Sequence, residues 1–267
     1  MCGIFGAIGT KINPGIIRSL TLINRERGTD SLGFFSNSKS IKRAVDPTAC
    51  LCGKDFNGYI DYTCSNDWFI AGHTRWATRG TVIDTNAHPF RYGRIIGSHN
   101  GNVIAPKFYN VDSEYLFDAL NNADGDYQKA FADIQGSWGL SWFDGSNFWL
   151  QAHNQEISIG QADDGTWYYS SDFTHLTAAA GFLSNIGILR NNHTIRFAKG
   201  MADYEIMPDL ITTPVVVKVS KKQRRAERRA LRINAHCDEV SNDPFHVGVD
   251  SWTDAWADYT ENDERLD

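Results

Sequence analysis

The apolar positions of this chain fall into short blocks, and the spacing within each block names an element. Residues 1–10 (MCGIFGAIGT) form a near-continuous apolar run, the pattern of a buried strand. Residues 14–27 instead place Ile16, Ile17, Leu20 and Ile23 at helical spacing, with Pro14 at the start and Gly28 just past the end. The stretches DWFIAGHTR (67–75) and RIIGSHNG (94–101) each climb through apolar residues into a glycine and a polar cluster. Two strands are thus predicted to end in loops able to carry chemistry. Helices are predicted over 113–121, N-capped by Asp112 or Ser113, and over 126–134. From 138 to 172 aromatic and polar residues alternate between the turn signals DG (144–145) and DDG (163–165), which predicts an antiparallel meander. FTHLTAAAGFL (173–183) reads as a further helix and HTIRFAKG (193–200) as a closing strand. Antiparallel strands flanked by separate helices, without βαβ alternation, predict an α+β layered sandwich.

Past residue 214 the texture changes. The run 221–232 (KKQRRAERRALR) carries seven basic side chains and one acid, and from Asp238 onward nearly every charge is negative. We therefore expect a domain over 1–214 and a charged appendage over 215–267, partly disordered or docked on a partner. If 221–232 is helical, Arg225, Arg228, Arg229 and Arg232 share a face that an acidic protein surface, RNA or the chain's own acidic tail can meet. A solvated or self-paired helix is the plainer reading. The formal charge of −6 argues against nucleic-acid binding by the chain as a whole.

Composition narrows the setting. No run approaches the ~20 apolar residues of a bilayer span, and the start lacks the basic head of a secretory signal. A soluble, cytoplasmic protein without a membrane partner is expected. Five cysteines (Cys2, Cys50, Cys52, Cys64, Cys237) show no repeated zinc-ligand spacing, so neither a disulfide framework nor a zinc finger is indicated. Cys50, Cys52 and Cys64 are either reduced, partly buried thiols or soft-metal ligands; the former is the simpler reading.

The candidate chemistry begins at Cys2. Removal of Met1 would leave a thiol and a free α-amine on one residue, and an amine with a pKa near 8 is partly unprotonated at neutral pH. It can then accept the thiol's proton, so that the nucleophile brings its own base. Attack on a carbonyl builds an oxyanion, for which Asn100 and Gly101 offer a side-chain NH2 and a backbone N–H; by spacing alone, Asn-Gly is more simply a hairpin turn. In HTRWATRG (73–80), Arg75 offers a fork for a carboxylate, Trp76 a wall, and Thr74 and Thr78 hydroxyls, or else the arginine is solvated and the tryptophan is core. Asp112 either pairs with a substrate ammonium or caps a helix.

Six tags in order, MCGIFG, RGTDSLG (27–33), GHTRWATRG (72–80), NAHPF (86–90), SHNG (98–101) and VDSEYL (111–116), resemble the class II glutamine amidotransferases. These are N-terminal-nucleophile hydrolases that release ammonia from glutamine. The nearest likeness is to the glutaminase domain of glucosamine-6-phosphate synthase, and GSWGL (136–140) and TWYYSSD (166–172) extend it to roughly residue 200. The resemblance implies a four-layer αββα sandwich with Cys2 as nucleophile and Asn100 and Gly101 as oxyanion hole. It further implies that Arg75 binds the glutamine α-carboxylate and Asp112 its α-amino group. Thr78 and His88 would shape the pocket, Trp76 would sit on the closing loop, and Arg27 and Asp30 would support the nucleophile strand. No metal or cofactor is implied. Because 215–267 is too short and too charged for a synthase, ammonia is expected to pass to a separate synthase partner. Two positions depart from the family pattern: Arg79 stands where the synthase has histidine, and ISIG (157–160) lacks a proline-leucine pair. A non-catalytic glutamine-binding or scaffold module of the same fold is the alternative function.

Overall fold

The computed structural model describes residues 2–189, 192–200 and 203–207. The expected boundary at 214, the appendage 215–267 and its basic run lie outside the described residues. The chain opens on β1 (Gly3–Ile8), buried throughout, and turns into α1 (Pro14–Asn24), whose N-cap Asn13 accepts the Gly15 N–H at 2.8 Å. A short 3-10 turn over Arg25–Arg27 ends the helix before Gly28. The buried face of α1 is Ile17, Leu20, Thr21 and Asn24, rotated from the expected apolar stripe; Ile16 and Ile23 lie half-buried at its margins.

β2 (Ser31–Ser36) and β3 (Ser40–Arg43) form a hairpin, followed by α2 (Pro47–Cys52), α3 (Lys54–Asn66) and β4 (Phe69–Arg75). Then come β5 (Phe90–Tyr92), β6 (Ile95–Val103), α4 (Asp112–Asn122) and α5 (Tyr127–Ala132). β7 (Gly136–Phe143), β8 (Asn147–His153), β9 (Ile157–Gln161) and β10 (Trp167–Ser170) follow, and α6 (Phe173–Ala180), β11 (Ser184–Leu189), β12 (Thr194–Ala198) and β13 (Glu205–Met207) complete the described chain.

The strands form two antiparallel sheets, one ordered β11-β9-β10-β1-β4-β2-β3 and the other β13-β12-β8-β7-β6-β5. Alternation along each strand divides the apolar residues between two faces. Ile4, Ile8, Phe35 and Phe69 meet Ile96, Phe148 and Leu150 between the sheets. On the outer face of the first sheet Phe5, Phe34 and Ile70 pack against α1, α3 and α6 through Leu20, Phe56 and Leu176. On the outer face of the second, Trp138, Leu140 and Trp142 pack against α4 and α5 through Leu116, Phe117 and Phe131. The architecture is thus the expected four-layer αββα sandwich.

Three expectations need correction. The 138–172 stretch is not one meander: β7–β8 and β9–β10 are hairpins, but they belong to different sheets, and the chain crosses between them after His153. Asn100-Gly101 is not a turn, because β6 continues to Val103 and pairs Asn100 with Gly139 and Gly101 with Trp138. Neither Asp112 nor Ser113 caps α4. Val111 precedes the helix, and Glu114 closes its first turn by accepting the Asn110 and Val111 N–H groups at 2.8 and 3.4 Å.

Candidate active site

Cys2 stands at the entry to β1, between β10 and β4 in the middle of the first sheet. Its thiol donates to the Trp76 carbonyl at 3.5 Å. Burial pushes this thiol's pKa up, opposed by the Trp76 contact and the charge of Arg75, while Asp112 adds to the rise. A proton acceptor is therefore needed before the sulfur can attack as thiolate. Arg27 donates from Nε to the Cys2 carbonyl at 2.9 Å and stands 3.6 Å from Asp172, which holds the backbone just before β1.

The narrow cleft beside Cys2, about 20 Å³, is lined by Arg75, Trp76, Thr78, His88, Gly101 and Asp112, together with Arg79, Asn86, His99 and Ser113. Residues from sequence positions 2 to 113 thus converge here because β1 starts where the antiparallel β4 ends, and the end of β6 lies beside them. A larger groove lies between β3 and β5, but it contains none of the predicted site residues.

Arg75, the last residue of β4, is 5% exposed. Its guanidinium donates to the carbonyls of Arg79 at 2.6 Å and Thr81 at 3.4 Å. None of the ion pairs among the described residues includes it. A buried cation without a counter-ion is costly, and an incoming anion would relieve that cost. Asp30 fixes the loop behind Arg75 from both sides: its N–H donates to the Arg75 carbonyl at 2.9 Å, and its carboxylate accepts the Ala77 N–H at 2.7 Å. Trp76 and Thr78 are exposed on that loop.

Asp112 opens α4 with one carboxylate oxygen accepting the Val103 N–H at 3.0 Å, which ties the end of β6 to the helix. Asn100 is 3% exposed, and its side-chain Nδ2 has no hydrogen-bond partner among the described residues. Gly101, next along β6, has φ +150°, and a Cβ there would stand 2.1 Å from the Ser137 carbonyl. Only glycine fits this place.

The cleft also holds a cluster of which sequence reasoning named only His88. His88 Nε2 and His99 Nδ1 both contact Ser113 Oγ at 3.0 Å, His73 Nε2 donates to the His99 carbonyl at 3.1 Å, and the His73 and His88 ring centres lie 3.9 Å apart, tilted by 33°. Burial lowers all three pKa values, that of His73 to about 3; Asp112 and Ser137 partly oppose the shift of His99. The cluster carries no signal at the level of periodicity, since His73 and His99 fall among the polar residues that end FIAGHTR and IIGSHNGNV, where nothing sets them apart from their neighbours. Among the described residues no group of three His, Cys, Asp or Glu side chains is arranged to hold a metal.

The cluster sets a pH dependence. The folded chain refuses protons that an unfolded histidine, with pKa near 6.5, takes up. Stability is therefore full above that value and falls as pH drops below it. Between pH 7 and 5 the ordinary carboxylates remain largely ionised, so this window reports mainly on histidine. His73 alone should cost about 2 kcal/mol at pH 5. Urea unfolding at the two pH values checks this, and equal free energies would contradict it.

No family model matches the chain. It is 30% identical over 176 residues to a glutamine–fructose-6-phosphate aminotransferase (isomerizing) of Lactococcus lactis, covering 54% of this chain and 27% of that enzyme. With the enzyme of the same name from Caldanaerobacter subterraneus it shares 36% over 129 residues, covering 44% of this chain and 20% of that one. The chain thus spans well under half the length of these curated relatives. Among solved structures, the glutamine phosphoribosylpyrophosphate amidotransferase of B. subtilis superposes with a TM-score of 0.62 at 15% identity, covering 79% of this chain and 50% of that one. The fold is the one this amidotransferase adopts. In sequence the chain is similar to class II glutamine amidotransferases, with the glutamine–fructose-6-phosphate aminotransferases as curated relatives. No helix among the described residues is long and apolar enough to cross a membrane.

Proposed function

We propose that this chain is a glutaminase acting through Cys2, and that Met1 is removed to free its base. The Cys2 α-amine takes the thiol proton and sulfur attacks the side-chain amide carbon of glutamine. The resulting oxyanion is held by Asn100 Nδ2 and the Gly101 N–H. Collapse breaks the C–N bond, and the α-ammonium returns its proton to the departing nitrogen, which leaves as ammonia. Water, deprotonated by the same amine, then hydrolyses the γ-glutamyl thioester to glutamate and restores the thiol.

Arg75 receives the α-carboxylate and Asp112 the α-ammonium, with Thr78, His88 and Trp76 as walls. Arg27 and Asp30 hold Cys2 and the loop after β4 in place. The observation that carries this reading is Arg75, a buried cation without a carboxylate partner among the described residues, sharing one cleft with Cys2 and Asp112. We further propose that the ammonia passes to a separate acceptor protein. The relatives are glutamine–fructose-6-phosphate aminotransferases, a name that includes a nitrogen acceptor.

Arg75→Ala tests the carboxylate site. Loss of a charge-assisted fork should weaken glutamine by about 1.5–3 kcal/mol, seen as a raised KM for ammonia release with a much smaller change in kcat. An unchanged KM would place the carboxylate elsewhere.

A further inference from the structure

Lys42 lies on β3, the outer edge strand of the first sheet, and is half-buried. Its ammonium donates to the carbonyls of Thr85 at 3.2 Å, Ala87 at 2.7 Å and Pro89 at 3.1 Å. An ammonium has three donors, so these contacts saturate it and leave none for a ligand. The three acceptors alternate along one segment, and the residues between them, Asn86 and His88, both line the cleft.

The register explains the placement. Lys42 pairs with Gly33 of β2, and a Cβ on Gly33 would stand 1.9 Å from the His88 carbonyl. The 85–89 backbone therefore rests directly on the sheet at Gly33, while the neighbouring lysine holds it from the side. The adjoining residues reinforce the attachment, because the Ala44 N–H donates to the Asp84 carboxylate at 2.7 Å. On the cleft side, Asn86 Nδ2 donates at 3.0 Å to the Thr81 carbonyl, the same oxygen that Arg75 reaches at 3.4 Å, and His88 meets Ser113.

We propose that Lys42 is a positioning residue of the glutamine cleft. It holds the carbonyls flanking Asn86 and His88, and so sets the His88 wall and, through Thr81, the Arg75 guanidinium. Its effect on glutamine rests on the glutaminase reading, whereas its effect on Arg75 does not. A merely structural lysine would alter stability and leave both untouched.

The test is Lys42→Met in the full chain, with ammonia release and the Arg75 side-chain NMR signals read in parallel. We expect KM for glutamine to rise about tenfold with kcat within about twofold, and the Arg75 signals to shift. Lys42→Arg keeps the charge but replaces three converging donors with a planar fork, and should give a smaller change of the same kind. Should Lys42→Met not fold, Lys42→Arg carries the measurement. Unchanged KM, or unmoved Arg75 signals, would overturn the proposal. If the unmodified protein releases no ammonia, the glutaminase reading fails, and the Arg75 signals alone decide whether Lys42 positions it.

Discussion

Cys2→Ala should abolish ammonia release from glutamine while leaving unfolding essentially unchanged. The sulfur makes one long hydrogen bond, to the Trp76 carbonyl, and is only half-buried at the entry to β1, so little packing is lost with it. Without a nucleophile there is no thioester, and the α-amine that would serve as base has no proton to take. The comparison needs both a turnover assay and a denaturation curve on the same preparation. Turnover in the folded variant would remove Cys2 from the mechanism.

The second large effect is expected at Asn100. Its Nδ2 is buried with no partner among the described residues, and although Asn100 does not itself line the cleft, the next residue of its strand, Gly101, does. Burying an amide donor unsatisfied costs roughly 1–3 kcal/mol, an expense that makes sense if the group is waiting for a charge that exists only during reaction. Asn100→Ala should lower kcat by about 10²–10³ with a small change in KM, the signature of a lost oxyanion donor. Removing an unsatisfied donor should also leave the folded state no less stable than the change in packing demands. A variant with normal kcat would show that the oxyanion is held elsewhere.

Much of the layered fold was legible in the chain because its strong periods are local. β1, α1, β4, β6 and the two hairpins announce themselves through runs, caps and Asp-Gly turns. The stretch from Ser31 to Asn66 carried no such signal: β2 reads SLGFFS and is buried on both faces, and α3 has Gly58 in its interior and is rich in polar residues. β11 was hidden by Gly187, with only Leu189 of its six residues buried. Asn100-Gly101 was misread by turn chemistry because pairing with β7 overrides the local preference. The site residues were legible as types, since a thiol, a cation fork and an amide each declare their chemistry. What binds them into one cleft was not, because Lys42, Ser113 and the three buried histidines act through contacts between segments distant in sequence, which no spacing reveals.

The most direct test of Cys2 as an amine-assisted nucleophile is mass spectrometry of the full chain after incubation with a diazoketone analogue of glutamine. We expect a chain that has lost Met1 and carries one adduct, located on Cys2 and reduced in yield by competing glutamine. A chain that keeps Met1, or an adduct on any other residue, would contradict it.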